Sequence, residues 1–516
     1  MQSKTHDFLN SLKTQGLSAI IADESLLADV KNNVGSFERT VPAILKVSTK
    51  EQVDVIVKAA NQHKVALFPF SIGKNWGYGS KLPTQSDSVL LDLSALNKII
   101  SIDEEQGLAH IEPGVTQAQL SQELLHRKSK YYVDVTGSGA DTSILGNSLE
   151  RGIAYQGIRA TQITHLEVLL GNGTLLNTGF GDYPTPVLKG LYSYGLGPSL
   201  DGLFFQSSFG VVLQGAIKLN LRPEKSYALS LSVNNERLSE LINSLTELRR
   251  NGTIQGIPHV ANRERTVSTF IPLLQEKDPS LTAEKAREIL GRAITGDWAL
   301  TVSVGGPAAL ADVRLQEVKK KLKPLGRIFV QSLQNNSFKS KMQSLLISLF
   351  ASTEQKSVLA AAEKLRGLHH GQASNAGVQF LMQNGNVDTS KEGFLLCTPL
   401  APLTGTSAQM YLDTLNAHAQ KYPVKLAMTL NIITEQILEA VISVHFNRED
   451  AQEVEQAHAC VRSLTESFSS RGYYPYRVNI DQIKDFTGMP VPHWDLVRKI
   501  KSVLDPNGII APGRYN

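Results

Sequence analysis

The alternation of apolar and polar positions predicts most of the secondary structure. Residues 51–64, "EQVDVIVKAANQHK", place apolar side chains at helical spacing. The apolar run 65–70, "VALFPF", reads as a buried strand. "SVLLDLSAL" at 88–96 and "GLAHIEPGV" at 107–115 read as further strands, and "VTQAQLSQELLHRK" at 115–128 returns to helix. "THLEVLLGNGTLLNTG" at 164–179 reads as a hairpin turning at Asn172-Gly173, the pair that favours a type I′ turn. Up to about residue 224, helices and strands mix without a regular βαβ repeat, which points to α+β. From roughly 225 to 465 helix formers dominate, at 236–251, 307–322, 406–422 and 448–472. Strands such as "WALTVSV" and "AVISVHF" lie between them, so this part predicts a sheet covered by helices. A tail from Gly472 carries its own turn signals.

Composition narrows the function classes. With 516 residues the chain is long enough for more than one domain. Its 52 basic and 48 acidic residues give a net charge of +4, no electrostatic basis for nucleic-acid or membrane binding. Two cysteines, Cys397 and Cys460, exclude a disulfide scaffold or a cysteine-rich metal cluster. The N-terminus has no apolar h-region and no run of about 18 apolar residues occurs, so a cytoplasmic location is expected.

One stretch asks for a ligand. "PFSIGKNWGYGS", 69–80, sets three glycines, a lysine and an asparagine directly after a predicted strand. Glycines there free backbone N–H groups to turn toward an anion such as phosphate. The spacing is neither the Walker pattern nor G-x-G-x-x-G.

The stretch is followed in order by "VLLDLSALNKIISID", "AHIEPGVT", "SILGNSLERGIAY", "HLEVLLGNGTLLNTG", "YGLGPSLDGLFFQSSFGVV" and "DPNGIIAPGRY". This series resembles the flavoproteins of the vanillyl-alcohol oxidase and p-cresol methylhydroxylase family, most densely over about 40–224 and 472–516. The resemblance implies FAD and an α+β fold: a two-subdomain FAD-binding domain plus a cap domain, an antiparallel sheet with flanking helices. Residues 1–224 would form the FAD-binding domain, 225–471 the substrate or cap domain, and 472–516 a segment returning to the first.

The same resemblance assigns residues. Phe70, Ser71, Ile72, Gly73, Lys74, Asn75, Gly77 and Tyr78 would wrap the pyrophosphate and approach the flavin, with Pro113, Gly137 and Ser138 beside them. Leu145, Gly146, Asn147, Glu150, Arg151 and Gly152 would form a second close-approach turn. Gly210, Val211 and Val212 would flank the adenine side, and Arg514 would add a cation. Tyr78, Tyr476 and Arg477 match the family residues that hold a substrate's phenol oxygen, and Arg477 would also stand against the cofactor, its charge stabilising the reduced, anionic flavin. Two phenolic donors and a permanent cation favour a phenolate, which pushes electron density into the ring and lets a benzylic hydride leave.

Three positions depart from the family pattern. Phe394 stands where relatives that link FAD through histidine carry that histidine, and other relatives link it through a cap-domain tyrosine for which no match is placed in this sequence; non-covalent FAD is expected. The aspartate that alcohol-oxidising relatives place near the flavin is replaced by Gly137-Ser138-Gly139, with Asp141 a turn later. Asn479 follows "YR-Val" where the family often has histidine. His369, His370 and His445 are candidate bases in the cap. The expected activity is hydride removal from a benzylic or allylic carbon of a para-substituted phenol or related alcohol, with oxygen or an electron-carrier protein as acceptor. The family implies a homodimer or larger assembly. A flavin-dependent 2-hydroxyacid dehydrogenase and a catalytically silent flavin-binding subunit are the alternative readings.

Overall fold

A computed structural model describes residues 2–17, 20–21, 24–294, 296–333, 365–382 and 385–516. Three main sheets organise them. The first is four-stranded, in the order Ile20–Ile21, Ile44–Lys46, Val89–Asp92, Leu67–Phe70, with the last three strands parallel. The helix Lys50–His63 connects two of these strands. Its start is fixed by a capping box between Thr49 and Gln52, and it buries Val53, Ile56, Val57, Ala59 and Ala60.

The second sheet is antiparallel, in the order Ile99–Asp103, Leu108–Ile111, Gly210–Lys218, Ile163–Leu170, Leu175–Asn177. Its last hairpin corrects the expected type I′ turn. Only Gly173 has positive φ, at 88°, and Asn172 does not. Gly173 N–H donates to Leu170 O, and Leu170 N–H donates to Thr174 O. Three residues make the loop, because Gly171 precedes Asn172 and a single left-handed glycine closes it.

The third sheet has eight strands, all drawn from 225–447. Seven run in the order Phe329–Ser332, Lys225–Val233, Trp298–Gly306, His259–Asn262, Lys425–Ile432, Ile437–Asn447, Glu392–Cys397, and Leu400–Pro402 pairs beside Ile437–Asn447. Every pairing in it is antiparallel. One face packs on the helices Leu238–Arg250, Ala308–Leu322, Gly405–Lys421 and Ala451–Ser469, where Leu430, Leu438, Ala440, Ile442 and Val444 join the main core. The tail then returns to the first sheet: Leu67 N–H donates to Ile509 O and Ala511 N–H to Leu67 O, both at 2.7 Å. No helix among the described residues is long and apolar enough to cross a membrane.

Candidate functional site

The other face of the eight-stranded sheet meets the two smaller sheets around a cavity of about 510 Å³. The period of a strand decides what enters it. In Ile437–Asn447, the even-numbered Leu438, Ala440 and Ile442 face the core, and Glu439, Val441 and Ser443 face the cavity. Thr429 and Asn431 from the neighbouring strand, and His259 and Ala261 from the next, continue the same wall.

The glycine-rich stretch forms the opposite wall. Among the described residues, none of the seven amides from Ser71 to Gly77 donates to an acceptor in the chain. Gly73 and Gly77 both have φ of 76°, a conformation that turns consecutive N–H groups outward. Phe70 to Asn75 line the cavity, together with Pro113, Gly137, Ser138, Leu145, Gly146, Asn147, Glu150 and Gly152. A Cβ on Gly146 would lie 2.2 Å from Ser71 Oγ, so only glycine lets these two turns meet. Among the described residues the buried Asn147 Oδ1 has no hydrogen-bond partner. Unpaired amides, an unpaired amide oxygen and the cations Lys74 and Arg514 fit a ligand with phosphates and a polar ring, as FAD has.

Three of the sequence-selected residues lie off this wall. Val211 alternates away from Gly210 and Val212 and is 1% exposed in the core. Arg151 is exposed, with φ of 55° at the end of its turn. Gly77 stands behind the loop against Phe394 and Leu396.

Tyr78, Tyr476 and Arg477 converge on the cavity. The Arg477 guanidinium lies 4.3 Å from the centroid of the Tyr78 ring. It donates to Asn75 Oδ1 and lies 3.5 Å from Glu150, which also pairs with Arg514. Tyr78 Oη donates to Thr398 Oγ1 at 3.3 Å, and Tyr476 N–H donates to the Thr398 carbonyl at 3.2 Å. Burial pushes the Tyr78 hydroxyl up to about 12, against the opposing charge of Arg477. Burial, with Glu439 and Tyr78 nearby, holds the Tyr476 hydroxyl well above its ordinary value. Both tyrosines are therefore proton donors at neutral pH.

Glu439 is the residue that sequence reasoning missed. It is 0% exposed, and its Oε2 accepts from Asn431 Nδ2 at 2.8 Å. Among the described residues its Oε1 has no hydrogen-bond partner. Burial raises its carboxyl to about 7, although Asn431, Tyr476 and Arg477 all favour the ionised form. The available signal was a lone acid within the apolar strand sequence "ILEAVISVHF".

The other candidate bases stand elsewhere. Asp141 has a side chain 63% exposed and pairs with Lys74 at 3.4 Å. Asn479 is buried in a turn, accepting from the amides of Asp481 and Gln482. None of His369, His370 and His445 lines the cavity. Ring contacts place His369 against Tyr155, His370 Nε2 is 3.4 Å from Ser226 Oγ, and His445 Nδ1 is 3.0 Å from Glu392. Among the described residues, no group of three or more potential ligands that could hold a metal ion is present.

A stability prediction follows from Glu439. Folded, its carboxyl keeps a proton up to about pH 7, whereas the unfolded chain releases it near 4.5. Stability is thus lost as pH rises between these values, by up to about 3 kcal/mol. Glu439→Gln cannot ionise, so its thermal midpoint should exceed that of the wild type at pH 8 and match it at pH 4.5. A difference of equal size at both pH values would contradict the assignment.

Comparisons with known proteins agree with this geometry. Residues 41–179 match the family model described as "FAD binding domain". The 1'-carboxy-chondrochloren decarboxylase of Chondromyces crocatus is 29% identical, over 97% of this chain and 95% of its own length. The 4-cresol dehydrogenase [hydroxylating] flavoprotein subunit of Pseudomonas putida is 26% identical, over 97% of this chain and 94% of its own. The crystal structure of p-cresol methylhydroxylase with substrate bound superimposes with a TM-score of 0.86 at 24% identity, covering 100% of this chain and 97% of that one.

Proposed function

Since this chain belongs to the FAD-linked oxidases of the p-cresol methylhydroxylase and vanillyl-alcohol oxidase type, we propose that it removes a hydride from the benzylic carbon of a para-substituted phenol. The observation that carries the reading is the convergence of Tyr78, Tyr476, Arg477 and Glu439 on one cavity beside the unpaired amides of 71–77. FAD, when bound, accepts the hydride. The residues proposed to hold it are Phe70 to Asn75, Gly146, Gly152 and Arg514.

In this reading, the substrate's phenol oxygen sits among the hydroxyls of Tyr78 and Tyr476 and the Arg477 guanidinium. Glu439, whose carboxyl titrates near neutral pH, takes the phenol proton. The resulting phenolate is stabilised by donors already in place, so its charge costs little reorganisation. Departure of the hydride leaves a quinone methide, which water attack or proton loss then resolves. A second resolution is favoured by the Chondromyces relative, which is named a decarboxylase of a 1'-carboxy compound. There the bond from the adjacent carbon to a carboxylate breaks, its electron pair forms the new C=C bond, the ring returns to phenolate, and CO2 leaves.

We further propose that FAD is held without a covalent bond. Phe394 lines the cavity; by the resemblance it replaces the histidine of histidine-linked relatives, and a phenyl ring offers no nucleophile. Acid precipitation should therefore leave the yellow chromophore in the supernatant, whereas colour in the pellet would contradict this. The activity is tested by adding a panel of para-alkylphenols to the purified protein without oxygen and following flavin absorbance. Bleaching by at least one supports the reading, and a chain that only carries the cofactor is bleached by none.

A further inference from the structure

The cavity contains a cation that the chemistry above does not use. Arg265 sits in the first turn of the helix Arg263–Lys277, where Asn262 Oδ1 caps its own amide, and its side chain reaches the cavity. The other lysine and arginines on the wall each have a carboxylate: Lys74 has Asp141, and Arg477 and Arg514 share Glu150. Arg265 has none. Among the described residues its guanidinium makes no hydrogen bond and no ion pair, and meets only the Phe380 ring, at 5.4 Å, and the vicinity of Tyr155.

This placement works against folding. A cation in the first turn opposes the helix dipole, and a half-buried guanidinium with no ionic partner among the described residues is costly. An incoming anion would relieve both. Its position is also specific. From Arg265 a row of groups runs through Tyr155, whose ring is 4.8 Å from His259, then His259 Nδ1, 2.7 Å from Asn431 Oδ1, then Asn431 to Glu439. Arg265 and the Tyr78–Tyr476–Arg477 group thus stand at opposite ends of this row. His259, held low by burial, is neutral at pH 7 and does not compete for an anion.

We propose that the substrate is a phenol bearing a carboxylate on its para side chain, and that Arg265 binds this carboxylate while Arg477 holds the phenol oxygen. The inference rests on the phenol reading above for the orientation of the ring. A planar carboxylate matches the two-pronged guanidinium. A charged hydrogen-bonded contact of this kind corresponds to roughly ten- to hundredfold in affinity.

The test uses FAD-loaded protein and a matched pair that cannot lose a benzylic hydride, 4-hydroxycinnamate and 4-hydroxycinnamamide. Dissociation constants are measured by calorimetry for wild type, Arg265→Gln and Arg265→Lys. The acid should bind wild type at least tenfold more tightly than the amide, and this ratio should fall to near one in Arg265→Gln with amide affinity unchanged. A wild-type ratio near one, or a ratio unaltered in Arg265→Gln, overturns the proposal. If Arg265→Gln binds neither compound, Arg265→Lys decides: a retained preference for the acid supports it, and a lost one overturns it. The outcome is separable from the phenol reading, which falls if no para-alkylphenol reduces the flavin whatever the acid-to-amide ratio.

Discussion

Arg477→Ala is expected to slow anaerobic reduction of bound FAD by a para-alkylphenol about 10²- to 10³-fold, the scale for removing one preorganised group from a developing anion. Arg477 is the fixed cation against the Tyr78 ring, and it is 10% exposed at its side chain, so water cannot replace it. Without it, the two tyrosines can donate but supply no charge, and Glu439 must draw a proton from a phenol with an ordinary affinity for it. FAD should remain bound, because Glu150 keeps Arg514 and the amides of 71–77 are untouched. Arg477→Lys keeps the charge but loses the guanidinium's hydrogen bond to Asn75, and should fall between wild type and alanine. Stopped-flow measurement of flavin bleaching reads all three proteins. An unchanged rate in Arg477→Ala would remove the anion-holding role.

Gly77→Ala should yield protein that purifies with less than a tenth of its FAD. The residue has φ of 76°, where a side chain costs roughly 1–2 kcal/mol. Its new Cβ would lie 2.9 Å from Leu396 Cγ and 2.9 Å from Phe394 Cε2, both on a sheet strand that is packed from behind. The loop must therefore give way, and with it the direction of the amides that precede Gly77. The flavin-to-protein absorbance ratio after gel filtration measures the effect. Full occupancy in a folded Gly77→Ala protein would mean that these amides do not hold the cofactor.

What the sequence disclosed, and what it hid, follows from the range of each signal. The helix Lys50–His63 and the strands around it were legible because their caps and periodicity are local. The glycine-rich loop was legible because its backbone demand is written in residue type. Hairpin geometry was not, since Gly171 before Asn172-Gly173 changed the loop length and so the turn. Gly210, Val211 and Val212 were all expected to flank the adenine side, yet Gly210 opens a nine-residue strand whose alternation sends Val211 to the core.

Glu439 was hidden for a different reason. A strand has two faces, and only pairing with Lys425–Ile432 and the helices behind decides which one meets the ligand cavity. Arg265 was hidden because its helix, which contains Pro272, carries only a weak apolar stripe, and because a cation with no partner among the described residues is a property of the folded surroundings. Both residues come from 225–471, the part of the chain where the family motifs thin out.

The most direct test of the phenolate-stabilising site is the ionisation of a phenol held within it. Bound 4-hydroxybenzaldehyde, which has no benzylic hydride on a saturated side chain, should show its phenolate absorption at a pH about 1–3 units below that needed in solution. A titration midpoint equal to the free compound's, with binding confirmed, would contradict the account.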